Sequence, residues 1–124
     1  MGKTILVVDD APSIRQAVGF SLQEAGYDVL EAENGQDALE KLGCHQFDMI
    51  VCDVNMPVMD GISFLKKLAN DATYSSFKFT PIIMLTTESG ADMKAEGKKA
   101  GAKAWMVKPF KHEDLLSSIK KLIG

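Results

Sequence analysis

The chain contains 124 residues, of which 46% are hydrophobic and 25% are charged. This length favours one domain with one hydrophobic core, and the composition excludes a disordered chain, a collagen and a coiled coil. The formal net charge of −3 argues against nucleic-acid binding, although the stretch 94–124 carries a net charge of +5. No apolar run approaches the roughly 18 residues of a membrane helix, so we expect one cytoplasmic, monomeric domain over 1–124.

Five short apolar runs predict five β-strands. Four of them are almost continuously apolar, which is typical of strands buried on both faces of a parallel sheet. The second run partly alternates with charged residues and suits an edge strand. The runs occupy residues 4–8, 27–32, 49–52, 81–85 and 104–107.

Helical patterns separate these runs. Apolar residues at helical spacing predict helices over 12–25 and 36–42, a third through Ile62, Leu65, Leu68 and Ala69, a fourth over 91–100 and a last over 115–123. The fourth has Gly97 in its interior and a poor apolar face, whereas residues 70–80 show no periodicity and predict a long connection. Alternation of strand and helix predicts an α/β fold with helices on both faces of a parallel sheet.

Polar residues follow the strands at the edge where such sheets bind ligands. Asp9 and Asp10 follow the first strand, Asp53 the third, Thr86 the fourth and Lys108 the fifth. Three neighbouring carboxylates cannot all stay ionised unaided, so we expect either a proton or a cation among them, and we favour a divalent cation. Because every candidate ligand is an oxygen, the expected ion is Mg²⁺.

The remaining two side chains suit a phosphoryl group. Lys108 supplies positive charge and Thr86 a hydroxyl donor, both aimed at the same place. A carboxylate can be the nucleophile of phosphoryl transfer, and Asp53 is the lone carboxylate at its strand end. The chain turns outward after it, so that the Asn55 carbonyl can also be presented.

Four motifs in order resemble the receiver domain of bacterial two-component response regulators, of the stand-alone, CheY-like kind. They are Val8-Asp9-Asp10, Asp53-Val54-Asn55-Met56-Pro57-Val58-Met59-Asp60-Gly61, Leu85-Thr86-Thr87-Glu88, and Gly101-Ala102 with Val107-Lys108-Pro109-Phe110. The resemblance spans the chain. It implies a flavodoxin-like, three-layer α/β fold in which five helices flank a five-stranded parallel sheet of order 2-1-3-4-5.

The resemblance also implies a chemistry. Asp53 would accept a phosphoryl group from a histidine kinase, with Mg²⁺ held by Asp9, Asp10, Asp53 and the Asn55 carbonyl. Lys108 would pair with a phosphoryl oxygen, and the bond before Pro109 would be cis. Asn55 and Glu88 hint at comparatively rapid loss of the phosphoryl group. The protein would not be an enzyme beyond this self-catalysed acceptance and loss.

Output would follow from a conformational switch. The resemblance implies that Thr86 moves towards the phosphoryl group and that Trp105, where CheY has tyrosine, changes rotamer with it. The target would be a protein such as a component of the flagellar motor switch, with no nucleic acid or membrane involved. Lys99 and Lys103 are candidates for a basic docking surface that meets acidic residues of a partner.

Alternatives remain open for each of these assignments. Trp105 can be ordinary packing at a sheet edge, and the lysine-rich end can be a solvated face. The protein can instead be a phosphate sink or relay intermediate without a target of its own. A Mg²⁺-dependent phosphohydrolase is disfavoured, because such an enzyme would place an acidic residue where Asn55 stands.

Overall fold

The computed structural model describes residues 3–77, 79–86 and 91–123, so the expectations for Thr87 and Glu88 lie outside the described residues. Five parallel strands form one sheet of order β2-β1-β3-β4-β5, which confirms the predicted order. The strands are β1 (Thr4–Val8), β2 (Asp28–Ala32), β3 (Met49–Asp53), β4 (Ile82–Thr86) and β5 (Ala104–Val107). Every residue of β3 and β4 is buried, as their apolar runs predict, and the burial extends to Asp53 and Thr86 at the ends of these strands.

Five α-helices alternate with the strands. They are α1 (Pro12–Glu24), α2 (Gly35–Leu42), α3 (Gly61–Asn70), α4 (Ala91–Lys99) and α5 (His112–Ile123). Asn34 and Asp60 cap the N-termini of α2 and α3. The side chain of each accepts a hydrogen bond of 2.8 Å from the backbone N–H three residues later. None of the helices within the described ranges is long and apolar enough to cross a membrane.

The connection between α3 and β4 differs from its prediction. Residues Ala72–Phe77 form 3₁₀ turns with a kink at Tyr74, where the sequence shows no periodicity. The Asp71 side chain accepts a hydrogen bond from the Thr73 N–H at 2.9 Å at its start, and Phe77 is buried at its end. A side-chain bond and one buried aromatic residue thus order a segment too short for a periodic pattern.

The sheet separates two hydrophobic clusters. Alternate residues of β1 face opposite sides, so that Leu6 and Val8 pack with α2 and α3, whereas Ile5 and Val7 pack with α1 and α5. Helical spacing predicts a face of α1 through Ile14, Ala17, Val18, Ser21, Leu22 and Ala25, which is wider than the buried face observed. Its buried residues are Val18, Gly19 and Leu22, because a single helix resting on the sheet covers only a narrow stripe and leaves Ile14 36% exposed.

Gly97 explains why α4 has a weak helical sequence. A Cβ atom built on Gly97 would lie 2.5 Å from Cζ3 of Trp105, so α4 can cross the indole at this distance only with glycine. The Trp105 ring is half-buried beneath the helix, and its Nε1 finds no hydrogen-bond partner among the described residues. The sequence predicts a poor helix, and the structure supplies the reason for it.

Replacing Gly97 with alanine should destabilise the protein by about 1 to 3 kcal/mol, because the new methyl group overpacks against the indole. The same change should shift the fluorescence emission of Trp105, the only tryptophan. In a Trp105→Leu background the clash is gone, and alanine should stabilise the helix by up to about 1 kcal/mol. Chemical denaturation of the four proteins checks this; equal effects of the alanine in both backgrounds would contradict the contact.

Candidate functional site

The carboxyl edge of the sheet brings the predicted side chains together. Asp9 follows β1, Asp53 ends β3 and Thr86 ends β4, and all three are buried. Carboxylate oxygens of Asp9, Asp10 and Asp53 lie within 4.8 Å of one another, with Asp10 the exposed member. Parallel strands end at one edge, so residues far apart in the chain form one acidic cluster.

Lys108 closes this cluster from β5. Its Nζ atom lies 3.0 Å from Oδ2 of Asp9 and 3.3 Å from Oδ1 of Asp53, and its side chain is only 12% exposed. The Lys108 N–H donates to the Thr86 carbonyl, and the bond between Lys108 and Pro109 is cis, which confirms the expectation for this bond. The lysine therefore reaches the site from a backbone attached to the end of β4.

Burial and neighbouring charge set the electrostatics of the site. Burial and the Asp9 charge raise the pKa of Asp53, despite the opposing effect of Lys108. Burial alone would lower the pKa of Lys108, but its hydrogen bond to Asp9 and the Asp53 charge raise it. Three carboxylates with one ammonium leave an excess of negative charge in a partly enclosed site, which favours a bound cation.

The donor set fits a magnesium ion. Its ligands would be oxygens of the Asp9, Asp10 and Asp53 side chains and of exposed Asn55, and a hard cation with few protein ligands suits such a set. Burial and the Asp9 charge raise the pKa of Asp53, and a cation bound among the carboxylates would offset that repulsion. The residues present therefore fit the Mg²⁺ site that the sequence predicts.

Backbone contacts behind Asp53 hold it in place. The Val54 N–H donates to Oδ1 of Asp53 at 2.9 Å, and the Gly61 N–H donates to the Val54 carbonyl at 2.9 Å. A Cβ atom on Gly61 would collide with the carbonyl oxygen of Asp53 and lie 3.0 Å from Cα of Val54. Glycine is thus required where α3 begins against the back of the acidic site.

Sequence reasoning missed one supporting residue, Arg15. Its Nη1 donates to the Asp9 carbonyl at 2.7 Å and its Nε to Glu31 at 2.8 Å, so α1 and β2 fix the loop that carries Asp9. Arg15 is the only arginine of the chain and lies one turn into the helix that follows the aspartate pair. Those two features are the signal that could have revealed it.

The residues expected to transmit the signal lie farther apart than those of the acidic cluster do, on β4, on β5 or directly before it, and at the end of α4. Thr86 is fully buried at the end of β4, in register with Val107 of β5. Trp105 and Lys103 line a cavity of about 260 Å³ beside α4, whereas Lys99 lines a different one between α3 and α4. Both lysines are exposed, and the cavities that they line are different.

Replacing Asp53 with asparagine should raise the unfolding temperature of the metal-free protein at neutral pH by a few degrees. The pKa of Asp53 is raised on folding, so its ionised form destabilises the fold above that pKa. The gain should therefore be present near about pH 7 and vanish below the ordinary carboxyl pKa, near about pH 3. Thermal unfolding from pH 3 to 8 measures this gain in stability. Asp28→Asn, at the exposed first residue of β2, is the control. A gain that grows towards acid pH would contradict the assignment.

Comparison with known protein families shows to which family this chain belongs. The model of the response regulator receiver domain matches residues 5–120, and the chain belongs to that family. The fold class and the resemblance seen in the sequence are thereby confirmed.

Individual relatives come from signalling proteins of bacteria. Chemotaxis protein CheY1 of Helicobacter pylori is 40% identical over 122 residues, which cover 97% of this chain and 96% of that protein. The structure of chemotaxis protein CheY4 of Vibrio cholerae matches with a TM-score of 0.89 and 48% identity, covering 98% of this chain and 99% of that chain. The receiver domain of the sensor histidine kinase PA1611 of Pseudomonas aeruginosa has magnesium coordinated in its active-site cleft; it matches with a TM-score of 0.87 and 27% identity, covering 100% of this chain and 99% of that one.

Proposed function

We propose that this protein is a phosphorylation-activated switch that accepts a phosphoryl group on Asp53 from a histidine kinase and then binds a protein target. The observation that carries the proposal is the position of the Asp53 carboxylate. It ends β3 with the ammonium of Lys108 3.3 Å away and with carboxylate oxygens of Asp9 and Asp10 within 4.8 Å. The chemotaxis relatives favour a chemotaxis pathway in the cytoplasm.

The transfer needs one nucleophile and a fixed set of charges. A carboxylate oxygen of Asp53 attacks the phosphorus of a phosphohistidine, forming an O–P bond as the N–P bond breaks. The electron pair of the broken bond returns to the imidazole, whose other nitrogen already carries a proton, so neutral histidine leaves. Loss of the phosphoryl group follows when water attacks the phosphorus and the O–P bond breaks, which regenerates Asp53 and releases inorganic phosphate.

Lys108 and Mg²⁺ would together offset the negative charge of the carboxylates and of the phosphoryl oxygens. Mg²⁺, when bound by Asp9, Asp10, Asp53 and the Asn55 carbonyl, would neutralise the carboxylates and the incoming phosphoryl oxygens. Lys108 exchanges its present partners for a phosphoryl oxygen, because the transferred group brings more negative charge than either carboxylate. The Thr86 hydroxyl donates to another phosphoryl oxygen. No further substrate is turned over, so the protein is a phosphoacceptor and not an enzyme acting on other molecules.

The signal is read at the surface beside α4. Movement of Thr86 at the end of β4 changes the space available to Trp105 of the adjacent strand, which packs against Gly97. A displaced indole would alter the surface where Lys103 and Trp105 line their cavity. An acidic segment of a target such as a flagellar motor switch component fits this basic surface.

Phosphorylation-dependent capture tests the switch against a phosphate sink. The protein is immobilised with Mg²⁺ and beryllium fluoride, a phosphoryl mimic, and incubated with purified motor-switch and other chemotaxis proteins. Binding of one of them to the mimic-loaded protein but not to the resting protein or to Asp53→Asn supports the switch. Equal binding in all three states contradicts it, and loading of the mimic without any new partner favours the sink.

A further inference from the structure

The tip of the loop between β3 and α3 carries an exposed apolar residue in an unfavourable backbone conformation. Val58 has a φ of 69°, and it is the one non-glycine residue with positive φ in the part of the chain that the structure describes. Its surface is 82% exposed. A β-branched residue is an outlier at this φ, which asparagine or glycine adopts at far lower cost.

Hydrogen bonds on both sides of Val58 impose this conformation. The Met59 N–H donates to the Pro57 carbonyl at 2.7 Å, which closes a tight turn with Val58 at its centre. The Met59 carbonyl accepts from the Gly35 N–H at 3.1 Å, so the loop is also tied to the start of α2. A strained residue persists where its surroundings determine it, and such residues cluster at functional sites.

The same contacts separate Val58 from its neighbour. The Met59 side chain packs against Gly35 and the core, with its Cγ 2.7 Å from the position that a Cβ of Gly35 would take. Val58 has no such packing and stands out from the loop. Val58 lies in the loop that follows Asp53, five residues after the carboxylate on which the phosphoryl group would arrive.

We propose that Val58 is a recognition residue for the phosphodonor protein, which covers it with an apolar side chain next to its phosphohistidine. This inference rests on the proposed function, since it needs transfer to Asp53 from a protein. An isolated exposed valine is ordinary on a protein surface, but this one combines exposure and strain with a position in the loop that follows the nucleophile. Burying it in the encounter excludes water from a site whose chemistry is otherwise ionic.

Replacing Val58 should affect phosphoryl transfer from a protein donor but not from a small-molecule donor. Losing burial of one valine should lower the second-order rate constant for transfer from a kinase by about fivefold to tenfold. Transfer from phosphoramidate, which has the same N–P bond but no surface to pack on Val58, should be unchanged. Val58→Thr keeps the branched shape and the strain, whereas Val58→Asn removes both the strain and the apolar surface.

The test compares these two variants with the wild-type protein and with Phe79→Asn. Phe79 is 85% exposed and precedes β4, at the opposite edge of the sheet from Asp53. The protein donor is the histidine-phosphorylated kinase domain that transfers fastest to the wild type in a panel from chemotaxis systems. Both Val58 variants should be slow with the kinase domain alone, Val58→Asn should unfold at a higher temperature, and Phe79→Asn should transfer normally.

Several results would overturn the inference. Unchanged transfer from the kinase domain to both Val58 variants would show that the valine is not recognised. Equal slowing with phosphoramidate would show that the loop acts on the geometry of Asp53 instead. A wild-type protein that accepts from neither donor would refute the proposed function itself, which is a different outcome because it does not involve the variants.

Discussion

Replacing Asp53 with asparagine should abolish phosphoryl acceptance, from a histidine kinase and from a small acyl phosphate alike. The amide has no anionic oxygen to attack phosphorus, while its size and the hydrogen bond from the Val54 N–H are retained. Only the background rate of transfer to other carboxylates should remain, a reduction of more than about a thousandfold. Intact mass spectrometry after incubation with acetyl phosphate and Mg²⁺ measures it.

The matched control is Asp60→Asn. Asp60 is also a carboxylate in the same loop, but its Oδ1 accepts a hydrogen bond from the Ser63 N–H at the start of α3 at 2.8 Å. Its replacement should weaken that cap slightly and leave phosphoryl acceptance intact, because asparagine caps a helix nearly as well. Acceptance by Asp53→Asn at the wild-type rate would refute the assignment of the nucleophile.

The second large effect is expected at Lys108. Lys108→Met should slow phosphoryl acceptance by about a hundredfold, since it removes the fixed positive charge that meets the transferred oxygens. Binding of Mg²⁺ should be retained or become tighter, because the lysine now repels the ion and occupies Asp9 and Asp53, at 3.0 and 3.3 Å. Calorimetric titration with Mg²⁺ and the rate of acceptance are the two measurements.

Lys103→Met serves as the control for Lys108. Lys103 is exposed at the other end of β5, so both quantities should stay at their wild-type values. Lys108→Met, in contrast, should slow phosphoryl acceptance while it leaves Mg²⁺ binding intact. Parallel loss of both would mean that the lysine supports the structure of the metal site, and the proposed division of charge would be wrong.

Most of the fold follows from the sequence because both faces of the central strands are buried. The predicted starts and ends of the strands agree with the structure to within one residue, and the candidate site follows from the rule that ligands bind at their carboxyl ends. Asp9, Asp53 and Lys108 therefore lie together as predicted. The cis bond before Pro109 came from the resemblance alone, and the structure confirms it.

Features that depend on how elements pack were not predictable in the same way. Residue 97 must be glycine because α4 crosses Trp105 at a short distance. The spacing of apolar residues in the sequence does not reveal how closely a helix approaches its neighbour. Likewise, Lys99 ends α4 whereas Lys103 directly precedes β5, so the two lysines line different cavities although both belong to one basic stretch. The positive φ of Val58 depends on a tight turn that is tied to the start of α2 by the hydrogen bond from the Gly35 N–H to the Met59 carbonyl, a contact that local sequence does not reveal.

The most direct test of the account is to locate the phosphoryl group. The wild-type protein is incubated with acetyl phosphate and Mg²⁺, reduced with borohydride to convert an aspartyl phosphate to homoserine, and digested for peptide mass spectrometry. We expect homoserine at position 53, dependent on Mg²⁺ and absent without the phosphodonor. Modification at Asp9, Asp10 or any other residue in place of Asp53, or an unmodified protein, would contradict it.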